Sequence, residues 1–355
     1  MHFYYNSTIE PSYLDEDDKN LSFTVYKYGA CISSLTLVTN TIVITVILSK
    51  PNLRIISNAI LLSSCLAALL YGLIIIGTAL VSTYAVNPFK DIILYCVLGK
   101  TSELTALSIF NLHLTSLSLE RFFSSIYPFR YRRLMSIRNS FAYILIIWLI
   151  PSCIIFLLAL IASFANGGDC TAWMDIIAID IFFSYIVLPI IFLTPPFIMF
   201  ICYAIIVWKI FSMQRKISAA SILIDSTPLS RSKLMQNWKA ILQMFIVLGF
   251  YISAFYPFVI CYIILIAAPN IDVSDATTIS YLLIISYIAI HPIISVQFTA
   301  PVKDEIRKPL RRFYELFRSW LSNSALFRCC NEKTDDNGSR QLHVQTLDSR
   351  IISLF

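Results

Sequence analysis

Residues 93–131 read ILYCVLGKTSELTALSIFNLHLTSLSLERFFSSIYPFRY. Positions 93–120 form an apolar stretch long enough to cross a bilayer, because about 30 Å of hydrocarbon takes roughly 20 helical residues. The stretch ends in Ser118-Leu119-Glu120-Arg121-Phe122, followed by Ile126-Tyr127-Pro128-Phe129-Arg130-Tyr131. A charged pair at the end of a span is costly in hydrocarbon, so Glu120 and Arg121 are expected to face protein or a water-filled cavity. The structural alternative is that Arg121 only snorkels to the membrane surface.

Six more apolar stretches flank this one, at 26–49, 58–83, 140–165, 176–211, 239–267 and 277–299. The chain of 355 residues is 57% hydrophobic and 14% charged, with a mean hydropathy of +0.74. Soluble domains carry about 25% charged residues, so several water-exposed cores are excluded. What lies between the spans suits loops and a tail, and leaves no room for a large soluble catalytic domain. A transmembrane barrel would alternate apolar and polar residues in segments of about ten; these runs are unbroken. The expected fold is therefore all-α: an N-terminal arm over 1–25, a seven-transmembrane helix bundle over 26–300, a short amphipathic membrane-surface helix over 301–321 and a disordered tail over 322–355.

Seven spans put the two termini on opposite sides, and basic residues mark the cytoplasmic one. The N-terminal segment and the even-numbered loops hold only Lys19, Lys27, Lys90 and Lys100. The other side holds Lys50, Arg54, Arg121, Arg130, Arg132, Arg133, Arg138, Lys209, Arg215, Lys216, Arg231, Lys233, Lys239 and every basic residue from Lys303 on. The N-terminus is thus expected outside and the C-terminus in the cytoplasm. The net charge of +6 calls for anionic inner-leaflet lipid and a cytoplasmic protein partner, not nucleic acid.

The outer arm carries sequons at Asn6-Ser7-Thr8 and Asn20-Leu21-Ser22, so Asn6 and Asn20 are glycosylation candidates. Of nine cysteines, Cys96 and Cys170 fall on the outer, oxidising side and are disulfide candidates. The adjacent Cys329 and Cys330 are palmitoylation candidates. No Cys/His spacing suggests a metal, and no cofactor is expected.

The third-span signature and the loop after it resemble the Asp/Glu-Arg-Tyr motif of rhodopsin-like G protein-coupled receptors. The resemblance extends through the bundle: Asn40 in the first span, Asn58 in the second, Cys96 twenty-five positions before Arg121, Trp148 in the fourth, and Pro195 with Tyr203 in the fifth. Phe255-Tyr256-Pro257-Phe258 resembles the sixth-helix aromatic-x-Pro motif, and His291-Pro292-Ile293-Ile294-Ser295 stands at the seventh-helix Asn-Pro-x-x-Tyr. The resemblance implies a plasma-membrane receptor that is not an enzyme, with an extracellular ligand, a heterotrimeric G protein, arrestin and a receptor kinase as partners. Glu120, Arg121, Tyr203, Lys239, Pro257, His291 and Pro292 would form its switch and coupling face. The prolines each free a backbone carbonyl in a span, which neighbours or water must re-satisfy.

The departures carry expectations too. Ala68 stands where most members have an acidic second-helix residue, His291 and Ser295 replace Asn and Tyr, and Asn237 occupies the place of the acidic partner that in some members holds the signature arginine. The family's sodium pocket should be missing or rebuilt. His291 is expected to bond a backbone carbonyl.

Eighteen residues before Arg121, about five helical turns, stands Glu103 at the level of the family's ligand pocket. An intramembrane carboxylate marks a functional site unless it pairs locally, here with Lys100, or is protonated. Val187, Leu188 and Ile191 lack the serines of catecholamine receptors. Phe255, Phe258 and Tyr262 offer an aromatic wall, and acidic outer residues, Asp180 among them, would steer a cation. A cationic or amidated peptide is the favoured ligand. A chemosensory receptor for a small environmental molecule is the alternative. A transporter or channel, the alternative from another class, lacks support because no repeat relates the two halves. After Pro301, apolar Val302, Ile306, Leu310, Phe313 and Phe317 alternate with basic positions, as suits a helix lying in the lipid interface.

Overall fold

The computed structural model describes residues 16–84, 93–134, 136–165, 188–221, 228–268, 270–299, 301–308, 311 and 315. Two compact units divide the chain, Met1–Lys303 and Asp304–Phe355. The first contains α1 (Glu16–Ser49), a 3₁₀ turn (Pro51–Leu53), α2 (Ile56–Tyr84), α3 (Ile93–Ile126), α4 (Pro128–Leu134), α5 (Ile137–Ala165), α6 (Leu188–Phe192), α7 (Thr194–Ser221), α8 (Pro228–Ala267) and α9 (Ser274–Phe298). The described residues are helical throughout, apart from turns and short connections. In the second unit residues 304–308 are helical and Lys308 bonds Glu305 at 2.5 Å. Most of the expected amphipathic stretch 301–321, with Cys329 and Cys330 after it, lies outside the described residues.

Six helices among the described residues are long and apolar enough to cross a membrane: Lys27–Ser49, Asn58–Leu80, Arg138–Ile161, Ile190–Ser212, Phe245–Leu265 and Ser274–Gln297. The seventh expected span, α3, is 34 residues long but more polar. Its position explains the composition. It packs against α2, α5, α6 and α7, and Thr101, Thr105, Ser108, Asn111, His113, Thr115, Ser116, Ser118 and Glu120 are all buried. A helix ringed by protein needs little lipid-facing apolar surface, provided its polar groups find partners. Five of them find one locally: Thr105, Ser108, Thr115, Ser116 and Ser118 each return a hydroxyl to the carbonyl four residues back, at 2.6–3.1 Å.

Several helices run past the expected apolar stretches. α1 begins at Glu16, inside the stretch assigned to the arm, so Asn20 belongs to a helix. α8 begins at Pro228, well before 239, with proline at a first position that has no hydrogen bond to lose. α5 is capped by Ser136, whose hydroxyl accepts the Asn139 N–H at 3.2 Å. The loop after the third span is not irregular either, since it forms α4.

α1 packs on α2 and α9, and α9 on α8. A Cβ at Gly72 would meet the Leu37 side chain at 3.3 Å and the Ser33 carbonyl at 3.4 Å, so α1 and α2 approach closely there. Thr39 of α1 donates to the Ala289 carbonyl of α9 at 3.0 Å.

Candidate functional site

The C-terminal end of α3 gathers the signature residues. Glu120 is 3% exposed and sits 3.6 Å from the Arg121 Nε. Tyr131 of α4 reaches back and donates to Glu120 Oε1 at 2.8 Å. Partial burial, and then that bond, push the Tyr131 phenol well above its ordinary range. Arg121 donates to Thr299 Oγ1, just after α9, at 3.5 Å. The guanidinium thus ties the end of α3 to the end of α9. Ser118 spends its proton on the Leu114 carbonyl, so the Tyr203 hydroxyl donates to Ser118 at 2.7 Å and brings α7 to the same place. Asn58, Ser118, Arg121, Tyr203, His291 and Thr299 line an open cleft. Asn237 and Lys239 belong to α8, but their side chains lie outside the described residues.

His291 was expected to bond a backbone carbonyl; among the described residues its bonding partner is a side chain. Its Nε2 lies 3.1 Å from Ser295 Oγ, and its ring stands edge-on to Phe110 at 5.3 Å. Phe110, Tyr287 and the fully buried Ala68 belong to one continuous core. A large ring on α3 thus fills space beside His291, and at Ala68 there is no carboxylate to draw a cation.

The prolines of the fifth expected span have a specific consequence. The span is broken at Leu193 between α6 and α7. Pro195 and Pro196 have no N–H, so the carbonyls four residues back, Ile191 and Phe192, lose their helical donors. Each is re-satisfied from a neighbouring helix. Asn111 Nδ2 of α3 donates to the Ile191 carbonyl at 3.4 Å, and the Tyr251 hydroxyl of α8 donates to the Phe192 carbonyl at 3.4 Å. Tyr251 also stacks on Phe255 with ring centroids 4.3 Å apart. Further aromatic contacts run from Phe255 to Phe192 and Tyr287, and from Phe258 to Phe192.

A second buried network joins α2, α3 and α5. His113 Nδ1 lies 2.8 Å from the Ile109 carbonyl, which only accepts, so in the neutral ring Nδ1 holds the proton. Nε2 then accepts from Ser63 at 2.8 Å, and Ser63 accepts the Trp148 indole N–H at 2.9 Å.

Nearer the other end of α3, Tyr281 of α9 donates to Glu103 Oε1 at 2.5 Å. Glu103 is therefore engaged from α9. Phe255 is fully buried, while Phe258 and Tyr262 are partly exposed. Asp180, Cys170 and Asn6 lie outside the described residues, as does the side chain of Cys96. Asp272, on an exposed turn, is held below the usual carboxylate range by the backbone N–H and then the hydroxyl of Ser274.

The sequence assigns no role of their own to Tyr281, Asn111, Tyr251, Tyr131 and Phe129. Asn111 and Tyr251 were open to inference, because a Pro-Pro pair in a span demands two donors from elsewhere. Phe129 is 89% exposed, the most exposed large apolar side chain among the described residues, and it stands on α4 beside exposed Arg130 and Arg133.

The family model described as "7 transmembrane receptor (rhodopsin family)" matches residues 39–294. No curated protein was found to match. The matched segment takes in Asn40, the Glu120–Arg121 pair, the Pro195-Pro196 joint and His291-Pro292, so the chain belongs to the rhodopsin family of seven-transmembrane receptors.

Proposed function

We propose that this receptor carries a signal from an extracellular cationic or amidated peptide to a heterotrimeric G protein, with its N-terminus outside and its C-terminus in the cytoplasm. The observation that carries the reading is that one buried helix, α3, holds an acidic group bonded across the outer bundle, Glu103 to Tyr281, and a cationic group at the mouth of an inner cleft, Arg121. A ligand cation competing for the carboxylate would act on α3 and α9 together. The same α3 ends in the Arg121–Thr299 tie, so a shift along it reaches the cleft. Exposed Phe129, beside Arg130 and Arg133, offers a partner an apolar knob with cationic flanks.

The ligand half is tested by Glu103→Gln. It keeps the shape of the side chain and removes the charge, so the potency of a cationic peptide agonist should fall by tenfold or more, about 1.4 kcal/mol. Unchanged potency at normal surface expression would refute the pairing. Candidate disulfide Cys96–Cys170, the palmitoylation of Cys329 and Cys330 and the glycosylation of Asn6 and Asn20 belong to the same proposal.

A further inference from the structure

We propose that Lys209 of α7 is the positioning residue for α4, holding the Phe129 knob at the angle at which a cytoplasmic partner meets it. The proposal rests on the coupling reading above. α3 ends at Ile126 and α4 begins at Pro128, so Tyr127 alone joins them. The last carbonyls of a helix lack internal partners, and Lys209 Nζ donates to the Ile126 carbonyl at 2.9 Å. A cation is the favoured cap at that end, because the helix dipole is negative there. The same Nζ stands 5.6 Å from the centre of the Tyr127 ring, and the Arg130 guanidinium stands 5.9 Å from it. Cations interact with a ring face at such distances.

Tyr127 is therefore gripped through the carbonyl before it and through its ring. Its backbone continues the helical pattern on both sides, with Tyr127 N–H to the Phe123 carbonyl at 2.9 Å and Tyr131 N–H to the Tyr127 carbonyl at 2.8 Å. Tyr131 then fixes the far side of α4 to Glu120. α4 has seven residues, too few to hold a helix alone. Two tethers hold it: one to its own parent helix, and one from a different helix, α7. Only the second makes the pose of Phe129 depend on where α7 stands.

The test uses the full chain in lipid nanodiscs. Hydrogen–deuterium exchange is followed over residues 126–134 for the unaltered chain, for Lys209→Met, which keeps an apolar stem but has no charge or N–H, and for Lys209→Arg, which keeps both. Lys209→Met should speed exchange there at least tenfold and leave α2 unchanged, and Lys209→Arg should restore protection. No acceleration with Lys209→Met, or equal acceleration with Lys209→Arg, would overturn the assignment. So would acceleration spread evenly over α2, which would mean a general loss of fold. In parallel, G protein is titrated against nucleotide exchange. Lys209→Met should raise the half-saturating G protein concentration about tenfold with the maximal rate unchanged; a lower maximal rate at unchanged half-saturation would also count against positioning. A chain that drives no nucleotide exchange contradicts the coupling reading, while the deuterium data still decide whether Lys209 holds α4.

Discussion

The Pro195-Pro196 joint makes a quantitative demand. Tyr251→Phe keeps the ring stacked on Phe255 but removes the hydroxyl that serves the Phe192 carbonyl. A net hydrogen bond is worth roughly 0.5–1.5 kcal/mol, and a buried acceptor left bare costs about 1–3 kcal/mol. The 3.4 Å separation is long for a hydroxyl donor, so the expected loss is at the low end, about 1 kcal/mol. Pro196→Ala returns a backbone N–H to the position four residues after Phe192, so the carbonyl can take a backbone donor from across the break at Leu193. Unfolding in mixed micelles of rising denaturing detergent measures both variants and their combination. Tyr251→Phe should cost about 1 kcal/mol in the native background and close to nothing beside Pro196→Ala, a coupling readable by a double-mutant cycle. Equal costs in the two backgrounds would refute the claim that Tyr251 stands in for the proline's missing donor.

Ser63→Ala leaves both the Trp148 N–H and His113 Nε2 without their partner, so the unfolding free energy should drop by about 2 kcal/mol or more; a change under about 0.5 kcal/mol would mean that other groups serve them. Sodium should not alter agonist affinity beyond a matched potassium control, because Ala68 supplies no carboxylate and Phe110 packs beside His291. A strong drop specific to sodium would contradict that packing. Phe129→Ala should weaken coupling without changing thermal stability, since an 89% exposed side chain contributes little to the fold.

Much of this molecule is legible in its sequence, and for physical reasons. Apolar runs announce spans because lipid tolerates nothing else, and the six apolar helices fall where the runs lie. α3 is legible for another reason: its Glu120-Arg121 end is too costly to sit in lipid, and the structure buries Glu120 under Tyr131. What stays hidden is which partner meets which group. Glu103 announces a polar site, yet nothing in its neighbourhood along the chain points to Tyr281, 178 residues away. His291 was open to many partners, and only the packing of α9 selects Ser295 on its own helix. Helix ends are poorly marked where polar residues continue the helix past the membrane, as at Glu16 and Pro228. Lys209 looks like one more inner-face charge until the end of α3 is seen beneath it.

The most direct measurement is guanine-nucleotide exchange on heterotrimeric G proteins of each class, by the full chain in nanodiscs, against a library of cationic and amidated peptides. Coupling through the inner end of α3 requires peptide-dependent exchange on at least one class that falls at least tenfold with Arg121→Gln. Exchange no faster than with empty nanodiscs throughout the library, or peptide-driven exchange unaffected by Arg121→Gln, would contradict it.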